Sequence, residues 1–484
     1  MTKDMKKSIL TLTAALMAVA AMAQEGKPFI HDPSTIVECD GKYYTFGTGG
    51  GGLVSEDGWN WNSGAQRPGG GAAPDAMKIG DKYLVAYSTT GGGLGGGHAG
   101  NIVTMWTKTL DPNSPDFGFT EPVTVAKSEY DEDCDAIDAG LLMTPDGRLF
   151  VSFGTYFGFI RMVELDPVTF ERKAGAKDVN VAIDCEASVP IYRDGWYYLL
   201  GTHGTCCDGV NSTYNIVVGR SRNPQGPFID NVGRDMVKGG GKMVASSDSR
   251  HAGAGHFGRE IIAEGVEKCS FHWEADYDQS GRSVLAIRPL LWKNGWPVAG
   301  ELFQEGTYFI ESERRGYGLE LAVDFVRYDT GIRRMFFGGN DNEPIVVLNE
   351  QKLEDVAKDW PEGNIEVRLG DYLGRPHQKW DIVFVPEAGG FLGGQYAKIV
   401  LHGTDKVLTA TAEKEVIAAP EFTGSDEQLW KIEQLTDGTY RIMAKAVPGT
   451  DEEYALISIA DSTPTLGKFD FNSDNSKWNF KKNW

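Results

Sequence analysis

Five times between residues 27 and 300 a glycine-marked turn leads into an aromatic or β-branched run, and this recurrence leaves few folds open. The runs are 42–46 after Gly41, 81–85 after Gly80, 148–152 after Gly147, 196–200 after Gly195 and 266–270 after Gly265. Such residues fit a pleated, half-buried surface, so each run reads as the second strand of a hairpin. In four units a side chain competent for catalysis stands nine residues before the glycine: Asp32, Asp138, Glu186 and His256. Asp75 lies closer to its glycine in the remaining unit. Constant phase within a repeated β unit means constant position in space. Arranged as blades around one axis, the units bring three carboxylates and a histidine to the mouth of a central channel.

Carboxylates crowded at an axis cannot all ionise freely. Like-charge proximity and partial burial push at least one toward the protonated form near neutral pH, which gives an acid and a base in one site. Taken singly, an Asp or Glu ahead of a strand is commonly a turn former, and only the shared offset argues for more. The stretch 27–300 has almost no amphipathic helical pattern, and units spaced by roughly 40 to 70 residues suit four-stranded blades. The expectation is an all-β, five-bladed propeller. Glycine-rich stretches at 49–52, 69–71 and 91–97 read either as rim loops where backbone meets a ligand or as tight turns; none carries a phosphate-loop Lys-Ser/Thr.

Lys3, Lys6 and Lys7, the apolar stretch 9–20 and the Ala21-Met22-Ala23 cleavage pattern predict a signal peptide over 1–23 and an exported, periplasmic or secreted protein. The apolar stretch is shorter than the roughly 20 residues of a spanning helix. A formal net charge of −21 argues against nucleic acid, because phosphates would go unneutralised. Twelve Trp and 18 Tyr suit stacking on sugar rings, although cores claim most aromatics in any protein. All six cysteines precede residue 300. The adjacent pair Cys206 and Cys207 lacks zinc-knuckle spacing and leaves open a vicinal disulfide, other pairings or free thiols.

The length predicts two domains. After Trp296-Pro297-Val298-Ala299-Gly300 a second repeat takes over: Gln378-Lys379-Trp380, Gln428-Leu429-Trp430 and Ser476-Lys477-Trp478. It resembles the Q-x-W signature of ricin-B-type β-trefoils, whose Gln and Trp pack in each lobe; Ser476 departs from it. That resemblance implies a β-trefoil over 301–484, either a carbohydrate-binding module or a structural appendage.

The motifs of 27–300 resemble glycoside hydrolase family 43, in its arabinanase-like branch. His31-Asp32-Pro33-Ser34, Ala136-Ile137-Asp138, Cys185-Glu186-Ala187 and Gly255-His256 carry the likeness, with Ala73-Pro74-Asp75 and the long stretch from Cys206 through Ser212 and Tyr214 to Ser221. The resemblance implies an inverting glycosidase for α-L-arabinofuranosyl linkages, endo or exo, acting on arabinan or related polysaccharides. Weaker alternatives are action on β-xylosides or β-1,3-galactans, and a non-catalytic carbohydrate-binding propeller. It further implies Asp32 as general base, Glu186 as general acid, Asp138 as the residue that orients the acid and raises its pKa, and His256 facing calcium in the axial channel. His31, Asp75, Phe157 and Ser212 are the expected substrate contacts. Inversion places the carboxyls of Asp32 and Glu186 roughly 6.5–9.5 Å apart, leaving room for water. Ala72 stands where the branch usually has Trp, so a stacking platform is either missing or supplied by Trp59, Trp61 or Phe157. Ala187-Ser188 and Phe257 depart from the branch's usual residues as well.

Overall fold

A computed structural model of the chain describes residues 24–89, 99–156, 158–314, 316–323, 353–459 and 463–482. The expected signal peptide, the glycine run 91–97 and Phe157 lie outside them. Among the described residues no helix is long and apolar enough to cross a membrane.

The glycine turns form hairpins as their chemistry dictates. Asp40-Gly41, Asp194-Gly195 and Asn294-Gly295 have positive φ at both residues, the backbone that matches the twist of paired antiparallel strands. Five antiparallel four-stranded sheets result: Val37–Cys39 to Asn60–Gln66, Ala72–Ile79 to Val123–Ser128, Gly140–Met143 to Val179–Ala182, Glu186–Arg193 to Lys242–Ala245 and His251–Ala263 to Trp296–Ala299. They are the blades of a five-bladed β-propeller. Each run predicted from a glycine turn overlaps the second strand of its sheet, such as Lys42–Phe46 and Trp196–His203. Glu25–Gly26 adds to the first sheet, parallel to Asn60–Gln66.

Blade strands are apolar on both faces because each face meets a neighbouring blade. On Lys82–Ser88, Tyr83, Val85 and Tyr87 pack with Tyr44 and Phe46 of the first blade, while Leu84 and Ala86 pack with Leu149, Val151 and Phe153 of the third. Phe150, of opposite phase, packs with Tyr197 and Leu199 of the fourth. Period-2 alternation thus sorts side chains between two cores. The ring closes where Phe29 bridges Val284 and Leu285 N–H donates to the Pro28 carbonyl at 2.8 Å.

Two compact units divide the chain. Among the described residues, one takes in those through Glu56, Asn60–Arg259 and Ser270–Ile287; the other takes in Asp57–Trp59, Glu260–Cys269 and those from Arg288 on. The second unit is β-rich, and its core holds the repeat tryptophans Trp380, Trp430 and Trp478, none of them exposed. Each follows a 3-10 turn (Pro376–Gln378, Asp426–Gln428, Asp474–Ser476), and each indole N–H donates to a backbone carbonyl: Leu319 at 2.8 Å, Leu408 at 3.0 Å and Leu456 at 2.8 Å. Gln378 accepts from the Leu373 and Arg375 N–H groups and Gln428 from the Thr423 N–H, and each donates to one backbone carbonyl, which closes the loop before the turn. Ser476 Oγ keeps only the accepting half, from Asp470 N–H at 3.3 Å.

Candidate active site

Non-glycine residues in the left-handed region recur once per blade near the innermost strand: Asp32 (φ 51°), Ala73 (42°), Asp138 (56°), Ala187 (48°) and His256 (58°). Each costs on the order of 1–3 kcal/mol, and such strain persists where the surroundings fix it, commonly at functional sites. Three of the five are the residues picked out by the nine-residue offset, and a fourth adjoins Glu186. The pairing register breaks at the same places, between Glu186 and Val189 and between Ala72 and Asp75.

Asp32 is held from several sides. Its Oδ2 accepts from Thr48 Oγ1 at 2.7 Å and lies 3.0 Å from His31 Nδ1. Its Oδ1 lies 3.9 Å from His256 Nδ1, an ion-pair distance rather than a hydrogen bond. Thr48 is placed by the first glycine stretch: a Cβ on Gly50 would stand 2.4 Å from the Gly69 carbonyl, so the two glycine stretches approach backbone to backbone. Burial alone would raise the Asp32 pKa. The imidazoles of His256, His31 and His272 override it and hold the carboxyl well below the usual range.

His31 explains much of this. Its Nε2 lies 3.1 Å from Glu274 Oε1, so the ring bridges two carboxylates and carries a proton on each nitrogen. Burial opposes that charge, but Asp32 and Glu274 outweigh it and raise the His31 pKa to about 10. Glu274 is buried and held down to about 2 against its burial by His272 and His31. His272 accepts the Asp32 backbone N–H on Nδ1 at 3.3 Å and faces Glu274 through Nε2 at 3.2 Å, which fixes a neutral Nε2–H tautomer; burial lowers its pKa.

Glu186 lies in the opposite regime. Burial pushes its pKa up to about 7; the Tyr214 hydroxyl, which donates to Oε1, works against the rise, and the Asp32 charge adds to it. Asp138 accepts from the Ala187 N–H at 2.9 Å and is itself raised well above the usual range by burial and by the charges of Glu186 and Asp32. Asp138 is thereby tied to the backbone next to Glu186.

The other expected residues divide. Asp75, 1% exposed, has its carboxylate on backbone: Oδ1 accepts from Thr35 and Ala76 N–H at 3.0 and 2.9 Å, and Oδ2 accepts from Leu141 N–H at 2.8 Å, so it pins three blades together. Ser212 is also turned inward. Its Oγ donates to the Thr205 carbonyl at 2.7 Å and accepts from Tyr214 N–H at 3.2 Å. Trp59 and Trp61, 3% and 0% exposed, are core residues and offer no stacking face. Cys206 and Cys207 are joined as a disulfide, while Cys39, Cys134, Cys185 and Cys269 are buried and free.

His256, 1% exposed, is held by its backbone N–H to Thr202 Oγ1 at 3.1 Å, and neither ring nitrogen has a hydrogen-bond partner among the described residues. Unmatched buried nitrogens at the axis fit a ligand completed by an ion or ordered water. His31, His272 and Glu274 also place ligand atoms within 4.8 Å of one another, but these atoms already bind each other.

Sequence reading passed over Thr48, His272 and Glu274 and gave Tyr214 no role. The available signal was polar residues at alternate positions, His272 and Glu274, in the wholly buried strand Val266–Asp276.

Residues 48–297 match the family model for glycosyl hydrolases family 43. The chain is 30% identical over 331 residues to the extracellular exo-α-(1→5)-L-arabinofuranosidase ArbA of Cellvibrio japonicus (strain Ueda107), covering 61% of this chain and 92% of that protein. It is 28% identical over 316 residues to extracellular endo-α-(1→5)-L-arabinanase 1 of Bacillus subtilis (strain 168), covering 60% and 93%. Among solved structures, an exo-1,5-α-L-arabinanase from a bovine ruminal metagenomic library superposes with a TM-score of 0.52 at 30% identity, over 57% of this chain and 97% of that one. The Cellvibrio cellulosa α-L-arabinanase complexed with arabinohexaose gives 0.52 at 25% identity, over 56% and 95%.

Proposed function

This chain belongs to glycosyl hydrolases family 43, and from that membership we propose that it hydrolyses α-L-arabinofuranosyl linkages of arabinan with inversion at the anomeric carbon. The opposed ionisation of Asp32 and Glu186 carries the reading. Asp32 stays anionic far below neutrality and suits a general base, whereas Glu186, at about 7, keeps its proton to donate to the leaving oxygen. His31 and Thr48 hold the base carboxylate so that its free lone pairs take the proton of the attacking water. Tyr214 positions the acid, and Asp138 fixes the backbone that carries it.

Support for the substrate comes from the named relatives, endo- and exo-acting on α-(1→5)-L-arabinan, and from a related enzyme that holds arabinohexaose. Export agrees with the extracellular relatives and with the amino-terminal pattern. Calcium would be held by His256 as its single protein nitrogen, with water and oxygen completing the shell, and would supply positive charge in the channel. The region 301–484, with three buried Trp repeats, is read as a β-trefoil and a possible carbohydrate-binding module.

Product analysis on debranched linear arabinan, with Asp32→Asn as control, tests the reading. Arabinose or arabino-oligosaccharides from the wild type and none from the variant are expected; no product from either rejects it.

A further inference from the structure

Residues 205–213 form a loop closed at its neck. Thr205 N–H donates to Thr213 Oγ1 at 3.0 Å, Thr213 N–H to Thr205 Oγ1 at 3.1 Å, and Ser212 Oγ to the Thr205 carbonyl at 2.7 Å. Just before it, Gly204 (φ 108°) lies so close to the returning strand that a Cβ would stand 2.3 Å from the Thr213 carbonyl. One side of the neck runs into Tyr214, which holds Glu186. The disulfide just past the neck reaches the histidine that holds the other carboxylate: both sulfurs of Cys206–Cys207 and a ring nitrogen of His31, the partner of Asp32, lie within 4.8 Å of one another. Cys206 is half-buried and Cys207 exposed. A surface of two bonded sulfurs, whose side chains carry no N–H or O–H donor, therefore borders His31, the partner of the base, on a loop that runs into the tyrosine holding Glu186.

We propose that the Cys206–Cys207 disulfide is a substrate platform that carries the C–H face of the arabinofuranosyl unit at the point of cleavage. The inference rests on the arabinan reading. Sulfur is soft and polarisable and packs well against C–H surface, and a furanose whose hydroxyls are engaged elsewhere presents such a face. Aromatic rings commonly serve this purpose, but Trp59 and Trp61 are buried and position 72 is alanine. Sulfurs joined to each other carry no thiolate, so a metal site with His31 is the poorer reading. The hydrogen-bonded neck sets the platform before substrate arrives, which lowers the ordering cost of binding.

The test uses full-length Glu186→Gln protein and arabinotriose, with binding measured by calorimetry and disulfide exposure by the rate of phosphine reduction, trapped by alkylation and read by mass spectrometry. Saturating arabinotriose is expected to slow reduction of Cys206–Cys207 about tenfold. In the otherwise wild-type enzyme, the Cys206→Ser/Cys207→Ser double variant is expected to raise KM about tenfold with kcat nearly unchanged, the pattern of a lost uniform binding contact. Binding without protection overturns the platform and leaves the arabinan reading standing. A fall in kcat at unchanged KM also overturns it, since the loop would then only hold Glu186 or His31. No arabinotriose binding, with no arabinan hydrolysis by the wild type, overturns the substrate reading and the platform with it.

Discussion

Tyr214→Phe removes a hydrogen bond that holds the Glu186 pKa down. The hydroxyl donates to Glu186 Oε1, and burial is otherwise the main influence on that carboxyl, pushing it to about 7. A hydrogen bond to a charged group is worth about 1.5–3 kcal/mol, and one pKa unit corresponds to about 1.4 kcal/mol. The hydroxyl also bonds the neutral acid, so the difference between the two forms is smaller, about one pKa unit. Removing it favours the protonated form, and the alkaline limb of kcat/KM moves up from about 7 to about 8. The acid limb, set by Asp32, stays well below the usual carboxylate range. The assay is kcat/KM on an arabino-oligosaccharide across pH, with thermal unfolding to confirm that the variant is folded. An alkaline limb that stays in place or moves down in a folded variant refutes the assignment of Glu186 as the acid held by Tyr214.

Two further substitutions probe stability. Glu186 is raised from 4.5 to about 7, so its contribution is fully present below its unfolded pKa and is lost as pH rises through about 7. Glu186→Gln should therefore be more stable than wild type by up to about 3 kcal/mol at pH 8 and no more stable at pH 4, read from urea unfolding; equal stability at both would contradict the buried-acid assignment. Asp75→Asn removes the carboxylate that receives three backbone N–H groups from three blades. A loss of about 2–4 kcal/mol in unfolding free energy is expected, and a loss of under about half a kcal/mol would make Asp75 a surface residue in effect.

The phase of the repeats was legible because it is a local property. A glycine turn and a strand of fixed length fix where along the axis Asp32, Asp138 and His256 sit, and the left-handed backbone at all three follows from that shared place. Direction and partnership were not legible. Asp75 has the same chemistry as Asp32, yet its carboxylate turns toward the backbone of its neighbours, which depends on three strands meeting. Glu274 sets the charge of His31 across a separation of 243 residues, and no motif ties the two together. Aromatic content misled for a related reason: Trp61 satisfies its indole on Gln24 at 3.1 Å inside the core, which composition cannot distinguish from a ring facing sugar.

Inversion by Asp32 and Glu186 is the central claim, and the configuration of the first product tests it directly. Proton NMR of an α-(1→5)-L-arabino-oligosaccharide digest, taken before mutarotation, should show the β anomer of the new reducing end appearing first, with the α anomer following as it equilibrates. First appearance of the α anomer would mean retention through a covalent intermediate and would contradict the assignment of Asp32 as a base acting on water.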